Sequence, residues 1–98
     1  MIDDELIKTL PEVTGVYIMK DDAGEIIYVG KAINIRTRGR QHAMNKSIKE
    51  RLLTESTAAI ETRQTQTEVE ALLLECELIK KHQPRYNDLL KDGKNYPC

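Results

Sequence analysis

The sequence predicts a small α/β (α+β) domain in which a β-hairpin, two short helices, a third strand and a longer helix follow one another. Two runs rich in β-branched and aromatic residues flank a turn, and helix-capping residues precede three later segments. The last of these segments carries apolar residues at helical spacing. A chain of 98 residues is long enough for one hydrophobic core and too short for two, so we expect a single domain over residues 1–98.

The composition is that of a globular protein, and we expect the cytoplasm as its location. Hydrophobic residues make up 40% of the chain and charged residues 32%, which is too apolar for intrinsic disorder. The N-terminus is acidic where a secretory signal would be basic, and no apolar run approaches the ~20 residues of a membrane span. Cys76 and Cys98 have no C-x-x-C spacing, so neither a disulfide framework nor a zinc site is expected.

The first predicted element is a β-hairpin. Its strands are the runs GVYIMK and EIIYVG, and the turn residues DDAG lie between them. A four-residue loop places Tyr17 across from Tyr28, on the same face as Met19 and Ile26. A three-residue loop would put the two tyrosines on opposite faces, and we favour the four-residue loop.

A helix follows the hairpin. Asn34 is a suitable N-cap for a helix that runs to about Met44. Arg38 and His42 are four residues apart and therefore share a face of this helix. Gly39 weakens the helix by roughly 1 kcal/mol relative to alanine.

A second short helix and a third strand come next. Ser47 and Glu50 have capping-box spacing, which predicts a helix through Leu53. A strand is expected around residues 58–65, where apolar and polar residues alternate.

The clearest helix of the chain begins after Thr67, which forms a further capping box with Glu70. It is expected to run to about Lys81, and Pro84 prevents its continuation. The last stretch, RYNDLLKDGKNYPC, is interpreted as an irregular tail with a short turn.

Charge is unevenly distributed along the chain. The formal net charge is only −1, but the segment from Lys31 to Arg51 holds seven basic residues and one acid, Glu50. Such segregation produces either one basic face suited to phosphates or a run of solvated helix charges. Charge alone does not separate these two interpretations.

Glu75 is the unusual residue of the long helix. Its helical neighbours Ala71 and Leu72, one turn before, and Leu78 and Ile79, one turn after, are all apolar. An ionised carboxylate is costly to remove from water unless it is paired, hydrogen-bonded or bound to a metal. Glu75 therefore either lies at the edge of the apolar stripe, pairs with an arginine, or binds a metal ion.

The order of these motifs resembles the GIY-YIG nuclease family. The series consists of GVY, YVG, Lys31, a basic helix with Arg38, a lone helix glutamate and the pair Tyr86-Asn87. The segments GVYIMKD, IIYVGKAINIR, TEVEALLLECELIKKHQPRYN and LLKDGKNYP are similar, more narrowly, to the N-terminal nuclease domain of an excision-repair incision subunit. The similarity extends from about residue 10 to residue 97. It implies a small three-stranded, mainly antiparallel sheet flanked by helices, and metal-assisted hydrolysis of a DNA phosphodiester.

The resemblance also implies a role for each motif residue. Glu75 matches the ligand of one Mg²⁺ or Mn²⁺ ion, and Arg38 matches the guanidinium that clamps the scissile phosphate. Tyr17 and Tyr28 match the two signature tyrosines, and we favour Tyr17 as the base. Lys31 is expected to orient a water or a phosphate. The full predicted catalytic set is Tyr17, Tyr28, Lys31, Arg38, His42 and Asn87, with Lys31, Arg36, Arg38 and Arg40 as DNA-binding residues.

Two positions depart from the family pattern. His42 stands where most members have a tyrosine, and Gly39 where an aliphatic residue is expected. Histidine titrates near neutral pH, so His42 either conserves the role of the tyrosine or is itself the base. Asn87 is expected to position the site by hydrogen bonds.

The resemblance implies a function in nucleotide excision repair, namely the incision 3′ to a lesion. The implied partners are damaged duplex DNA and the UvrB subunit, the latter contacted through other domains of a longer protein of which this chain is a fragment. Two alternatives stay open at this point: a stand-alone GIY-YIG nuclease with other biology, and a non-catalytic DNA-binding or partner-binding module.

Overall fold

The computed structural model describes residues 2–87 and has the predicted alternation of strands and helices. The elements in chain order are α1 (Asp4–Lys8), β1 (Gly15–Lys20), β2 (Ile26–Ala32), α2 (Ile35–Met44), α3 (Ile48–Ser56), β3 (Ala59–Gln64) and α4 (Glu68–His82). None of the helices in the described part of the chain has the length and apolar character needed to cross a membrane.

The strands form one antiparallel sheet in the order β2-β1-β3, with β1 in the centre. The apolar side chains pack on both faces of this sheet. On one face, Val16 and Ile18 of β1 pack with Ala71 and Ile79 of α4. On the other face, residues of α1, α2 and α3 pack against the tyrosine side of the hairpin. The predicted three-stranded sheet flanked by helices is therefore confirmed.

The predicted hairpin register is wrong. Tyr17 pairs with Gly30, and Tyr28 pairs with Met19. The tyrosines nevertheless share a face, as expected, and their ring centroids lie 6.1 Å apart. At the turn end of the hairpin the pairing shifts, so that Lys20 pairs with Ile26. Ile27 is therefore the extra residue of a β-bulge.

The bulge also places Ile26 on the face opposite to the one predicted. Ile26 packs with the α4 layer, whereas Ile27 joins the tyrosine layer. The length of the turn is the physical reason for the register. Strand β1 ends at Lys20 and β2 begins at Ile26, so the connecting loop is one residue longer than the predicted four. The Asp21 carboxylate accepts hydrogen bonds from two backbone N–H groups of the turn, and Gly24 adopts a positive φ of 82°.

Helix α2 has its predicted bounds, and its N-cap is Asn34, whose side chain accepts from the Thr37 N–H at 3.1 Å. The packing explains Gly39. A Cβ on Gly39 would lie 2.6 Å from Cδ1 of Leu10, so the missing side chain lets the segment after α1 pack against α2. Helix α1, capped by Asp3, was not predicted.

The later elements agree with the predictions within a few residues. Helix α3 begins after Ser47 as expected and extends three residues beyond Leu53. Strand β3 and helix α4 fall where the pattern placed them. The C-cap residue after α4, Gln83, adopts the left-handed conformation just before Pro84. Of the predicted irregular tail, residues 85–87 are helical, and residues 88–98 lie outside the described part of the chain.

Candidate active site

A buried cluster of aromatic and polar side chains lies where α2 crosses the hairpin. Tyr17 of β1, Tyr28 of β2 and His42 of α2 are each at most 3% exposed. The imidazole ring lies edge-on to both phenol rings, at centroid distances of 5.5 Å and 5.6 Å. The Tyr17 Oη and His42 Nε2 atoms are 2.8 Å apart, within hydrogen-bonding distance. The fold thus brings together three of the predicted site residues.

Glycine at position 30 makes room for this cluster. Gly30 lies directly opposite Tyr17 in the sheet. A Cβ on Gly30 would lie 2.3 Å from the Tyr17 Oη and 2.4 Å from its Cζ, far inside van der Waals contact. The glycine of the YVG motif is therefore required for the Tyr17 ring to lie across β2.

Glu75 is buried and only 4% exposed, which the sequence had left open. Its Oε2 accepts a hydrogen bond of 2.9 Å from the backbone N–H of Lys31, at the end of β2. The carboxylate is therefore neither at a solvated edge nor an ordinary surface charge. Glu77, two residues further on, is exposed, as expected.

A cleft of about 350 Å³ adjoins the buried cluster and is lined by Lys31 and Arg38 together with polar residues of α2. Arg38 is held by a 3.1 Å hydrogen bond from Nη1 to the Gln41 side chain. The Lys31 ammonium lies 3.4 Å from Oε1 of Glu68, at the start of α4. Two predicted phosphate ligands therefore face one concave surface beside the tyrosines.

The titration behaviour of the cluster reflects burial and mutual interaction. Burial raises the pKa of the Tyr17 hydroxyl to about 12, although the Arg38 guanidinium acts to lower it. Burial also raises the pKa of Tyr28 well above its usual value. Burial alone would lower the pKa of Arg38, but its interactions with Tyr17, Tyr28 and Glu50 together raise it. Both phenols are thus neutral, and the arginine charged, at neutral pH.

Asn87 positions strand β2 rather than facing the cleft. It is 1% exposed, and its side-chain amide bonds both backbone polar groups of Val29. Its Oδ1 accepts from the Val29 N–H at 2.9 Å, and its Nδ2 donates to the Val29 carbonyl at 2.8 Å. Since β2 is an edge strand of this sheet, Asn87 takes the place of a neighbouring strand beside Tyr28. The amide thus holds the strand backbone next to Tyr28.

Two predicted DNA-binding residues are not part of this cluster. The Arg36 side chain joins α2 to the segment before β1, since its Nε donates to the Leu10 carbonyl at 2.8 Å and its Nη1 lies 3.8 Å from Glu12. Arg40 is exposed on α2 and does not line the cleft.

Two acidic residues of the site were missed from the sequence. Glu50 lies against His42, with Oε2 at 2.7 Å from Nδ1, and Glu68 pairs with Lys31. A signal existed for each. Glu50 is the one acid of the basic segment, and Glu68 is seven residues, or two helical turns, before Glu75.

An antiparallel sheet whose hairpin carries paired tyrosines, with an arginine and a buried glutamate beside them, defines a nuclease domain of the GIY-YIG type. The chain belongs to the family of UvrC-like GIY-YIG domains, whose model matches residues 13–88. The UvrABC system protein C of Thermoanaerobacter sp. (strain X514) is 52% identical over 100 residues, which cover 99% of this chain and 16% of that protein. The same protein of Acetivibrio thermocellus is 53% identical over 96 residues, covering 95% of this chain and 15% of its own length. The chain thus spans about one sixth of the length of these curated relatives.

Solved structures of the same kind superpose closely. The GIY-YIG N-terminal endonuclease domain of UvrC from Thermotoga maritima, bound to its catalytic divalent cation magnesium, matches with a TM-score of 0.78 and 36% identity, covering 87% of this chain and 98% of that one. Point mutants of that domain, with a tyrosine changed to phenylalanine or an asparagine to alanine, also hold the catalytic divalent cation. The predicted family and fold are therefore confirmed, and the solved relatives bind the class of cofactor that the resemblance implied.

Proposed function

We propose that this chain hydrolyses a DNA phosphodiester with the help of one divalent cation, as the domain that makes the 3′ incision of nucleotide excision repair. The observation that carries this proposal is the buried carboxylate of Glu75 beside a cleft lined by Lys31 and Arg38. Hydrolysis of a phosphodiester requires an activated nucleophile, neutralisation of charge at the phosphate and stabilisation of the departing oxygen. The described residues supply groups for each of these requirements.

The donor set fits a magnesium-type ion held by one protein ligand. No group of three or more His, Cys, Asp or Glu side chains that could enclose a metal occurs within residues 2–87. Mg²⁺ commonly keeps several waters and takes one or two carboxylates plus substrate phosphate. The carboxylate of Glu75 accepts a hydrogen bond from Lys31 at Oε2, and a carboxylate has roughly four acceptor positions. Glu75 is thus the residue that would hold Mg²⁺ or Mn²⁺.

The positively charged side chains of the cleft bind the scissile phosphate in this proposal. Arg38 offers a planar fork of N–H donors that suits two phosphate oxygens, and it is already oriented by Gln41. Lys31 adds a point charge to the same cleft and is held by Glu68. When bound, the metal supplies Lewis-acid polarisation of the phosphate and lowers the pKa of a bound water.

Tyr17 is the base of this reaction, with His42 as the acceptor of its proton. A phenol with a pKa of about 12 is neutral at neutral pH, so it takes a proton from water only as it releases its own. The Tyr17 hydroxyl has an acceptor at 2.8 Å in His42 Nε2. In this proposal His42 supports catalysis at a position where the family resemblance leads us to expect a tyrosine.

The wider biological setting is part of the same proposal. The UvrABC system proteins that this chain matches are far longer than the chain itself. We therefore infer that this chain serves as one domain of a longer protein. Its DNA is a damaged duplex, and the UvrB subunit is contacted through other domains. A nuclease that acts on chromosomal DNA is also expected in the cytoplasm.

A nicking assay on supercoiled DNA with Mg²⁺ or Mn²⁺ tests the proposed function. We expect Glu75→Gln to lower the cleavage rate by at least about 10²-fold, because a neutral amide is a poor ligand for a hard cation. Glu77→Gln is the matched control, since Glu77 is exposed on the same helix, and it should cleave like the parent chain.

The same variants separate catalysis from folding. Mg²⁺ should raise the thermal unfolding temperature of the parent chain and of Glu77→Gln, but not of Glu75→Gln, because only a native-state ligand is linked to stability. Arg38→Ala should also lose cleavage, with Arg63→Ala as its control, since Arg63 is exposed on β3, the edge strand opposite β2. Cleavage that survives both Glu75→Gln and Arg38→Ala would show the site assignment to be wrong.

A further inference from the structure

Glu50 of α3 is connected to Tyr17 through His42. The Oε2 atom of Glu50 lies 2.7 Å from His42 Nδ1, and His42 Nε2 lies 2.8 Å from the Tyr17 hydroxyl. The His42 side chain is 1% exposed and that of Glu50 15%. The imidazole ring is thus held at both nitrogens, from two different elements of the fold.

The Glu50 carboxylate is not used to cap its own helix. Its spacing from Ser47 predicts a capping box, in which the glutamate would accept from the Ser47 backbone N–H. That N–H instead donates to Oδ1 of Asn45 at 2.9 Å. Glu50 is also the one acid between Lys31 and Arg51, so its charge lies in a segment that otherwise favours phosphate. Among the described residues, the hydrogen bond found for the Glu50 carboxylate is the one to His42.

The contact determines which nitrogen of the ring carries the proton. An ionised carboxylate only accepts hydrogen bonds, so the hydrogen between Glu50 and His42 belongs to Nδ1. In a neutral ring this leaves Nε2 with a lone pair, which accepts from the Tyr17 hydroxyl. Without a partner at Nδ1, the ring is not held in this tautomer.

We propose that Glu50 is a positioning residue of the nuclease reaction, which keeps His42 in the Nδ1–H form and stabilises the imidazolium that forms on it. This rests on the proposed function. As an O–H bond of the nucleophilic water breaks, its proton passes to the Tyr17 oxygen, and the Tyr17 proton passes to His42 Nε2. The water becomes the attacking hydroxide, Tyr17 stays neutral, and the ring gains one positive charge. The Glu50 carboxylate then faces that charge across 2.7 Å.

Nitrogen-15 NMR of the histidine rings tests the tautomer without reference to activity. The chain contains only His42 and His82, so histidine-selective labelling yields two ring systems, assigned with His82→Gln. In the parent chain we expect His42 to show a protonated-type Nδ1 and an unprotonated-type Nε2. Exposed His82 serves as the internal reference. In Glu50→Ala, the Nε2–H form should be populated.

Steady-state cleavage over a range of DNA concentrations tests the consequence for the reaction. General acid–base contributions are commonly 10²–10⁴-fold, so we expect Glu50→Ala to lower kcat by roughly 10²-fold with KM nearly unchanged. Glu50→Gln preserves the shape of the side chain and removes its charge, and it should lower kcat at least about tenfold. Glu55→Gln, exposed on the same helix, is the matched control and should behave like the parent chain.

The results separate this inference from the proposed function. The inference is overturned if His42 in the parent chain carries its proton on Nε2, if its ring signals do not change in Glu50→Ala, or if both Glu50 variants keep the parent kcat. The proposed function is tested independently by Glu75→Gln, whose loss of cleavage does not depend on the His42 tautomer.

Discussion

Replacement of Gly30 by alanine tests the geometry of the site through a single methyl group. The added Cβ would lie 2.3 Å from the Tyr17 Oη and 2.4 Å from Cζ, whereas ordinary contacts between non-bonded heavy atoms lie near 3.5 Å or above. The end of the Tyr17 ring must therefore move by more than about 1 Å. The cost is steric, because among the described glycines only Gly24 has a positive φ.

This displacement should affect both stability and catalysis. The Tyr17 ring is 3% exposed and closely packed, so relief of the overlap is expected to cost about 1–3 kcal/mol. A shift of that size also breaks the 2.8 Å contact between the Tyr17 hydroxyl and His42 Nε2. A misplacement of about 1 Å in a reacting group commonly lowers the rate by about 10²-fold.

Urea unfolding and the nicking assay measure the two effects separately. Gly24→Ala is the matched control, because nothing lies within 4 Å of a Cβ at that position and only its φ of 82° is strained. It should lose about 1 kcal/mol of stability and keep the parent cleavage rate. If folded Gly30→Ala cleaves DNA as fast as Gly24→Ala, the placement of the Tyr17 hydroxyl does not govern the reaction and the reasoning fails.

Two further predictions concern buried polar groups. The pKa of Tyr17 is raised from 10.0 to about 12, so its contribution to stability is complete below pH 10 and is lost as the pH rises through 12. Two pKa units correspond to roughly 3 kcal/mol. In urea unfolding, the stability of Tyr17→Phe should therefore fall less between pH 10 and pH 12 than that of the parent chain. Equal falls in the two chains would contradict the raised pKa of Tyr17. Asn87→Ala removes both hydrogen bonds to Val29 and should cost roughly 2–5 kcal/mol in the same assay. A cost well below 1 kcal/mol would show that β2 does not depend on this amide.

The positions of helices and strands could be predicted because local chemistry determines them. Asn34, Ser47 and Thr67 each cap the helix that their spacing predicted. That Glu75 lies on the apolar face of its helix also followed from spacing, since residues three and four apart share a helix face. These features depend on contacts within a few residues along the chain.

The hairpin register could not be obtained in the same way. A turn of uncertain length leaves several pairings open, and the bulge between Ile26 and Tyr28 depends on which residues the two layers can bury. The face shared by the tyrosines was nevertheless correct, because the observed register differs from the predicted one by an even number of residues. The role of Gly39 likewise required the packing of Leu10, 29 positions earlier.

For the site, the sequence by itself determined the family and supplied the proposed set of site residues, with Glu75 the most telling of them. Only the tertiary structure decided how these residues are connected. It placed the carboxylate of Glu50 on His42 rather than on its own helix end, and it joined Arg36 to the chain segment before β1. The physical reason is that such hydrogen bonds join groups from different elements, and their partners are determined by how the elements pack rather than by spacing along the chain.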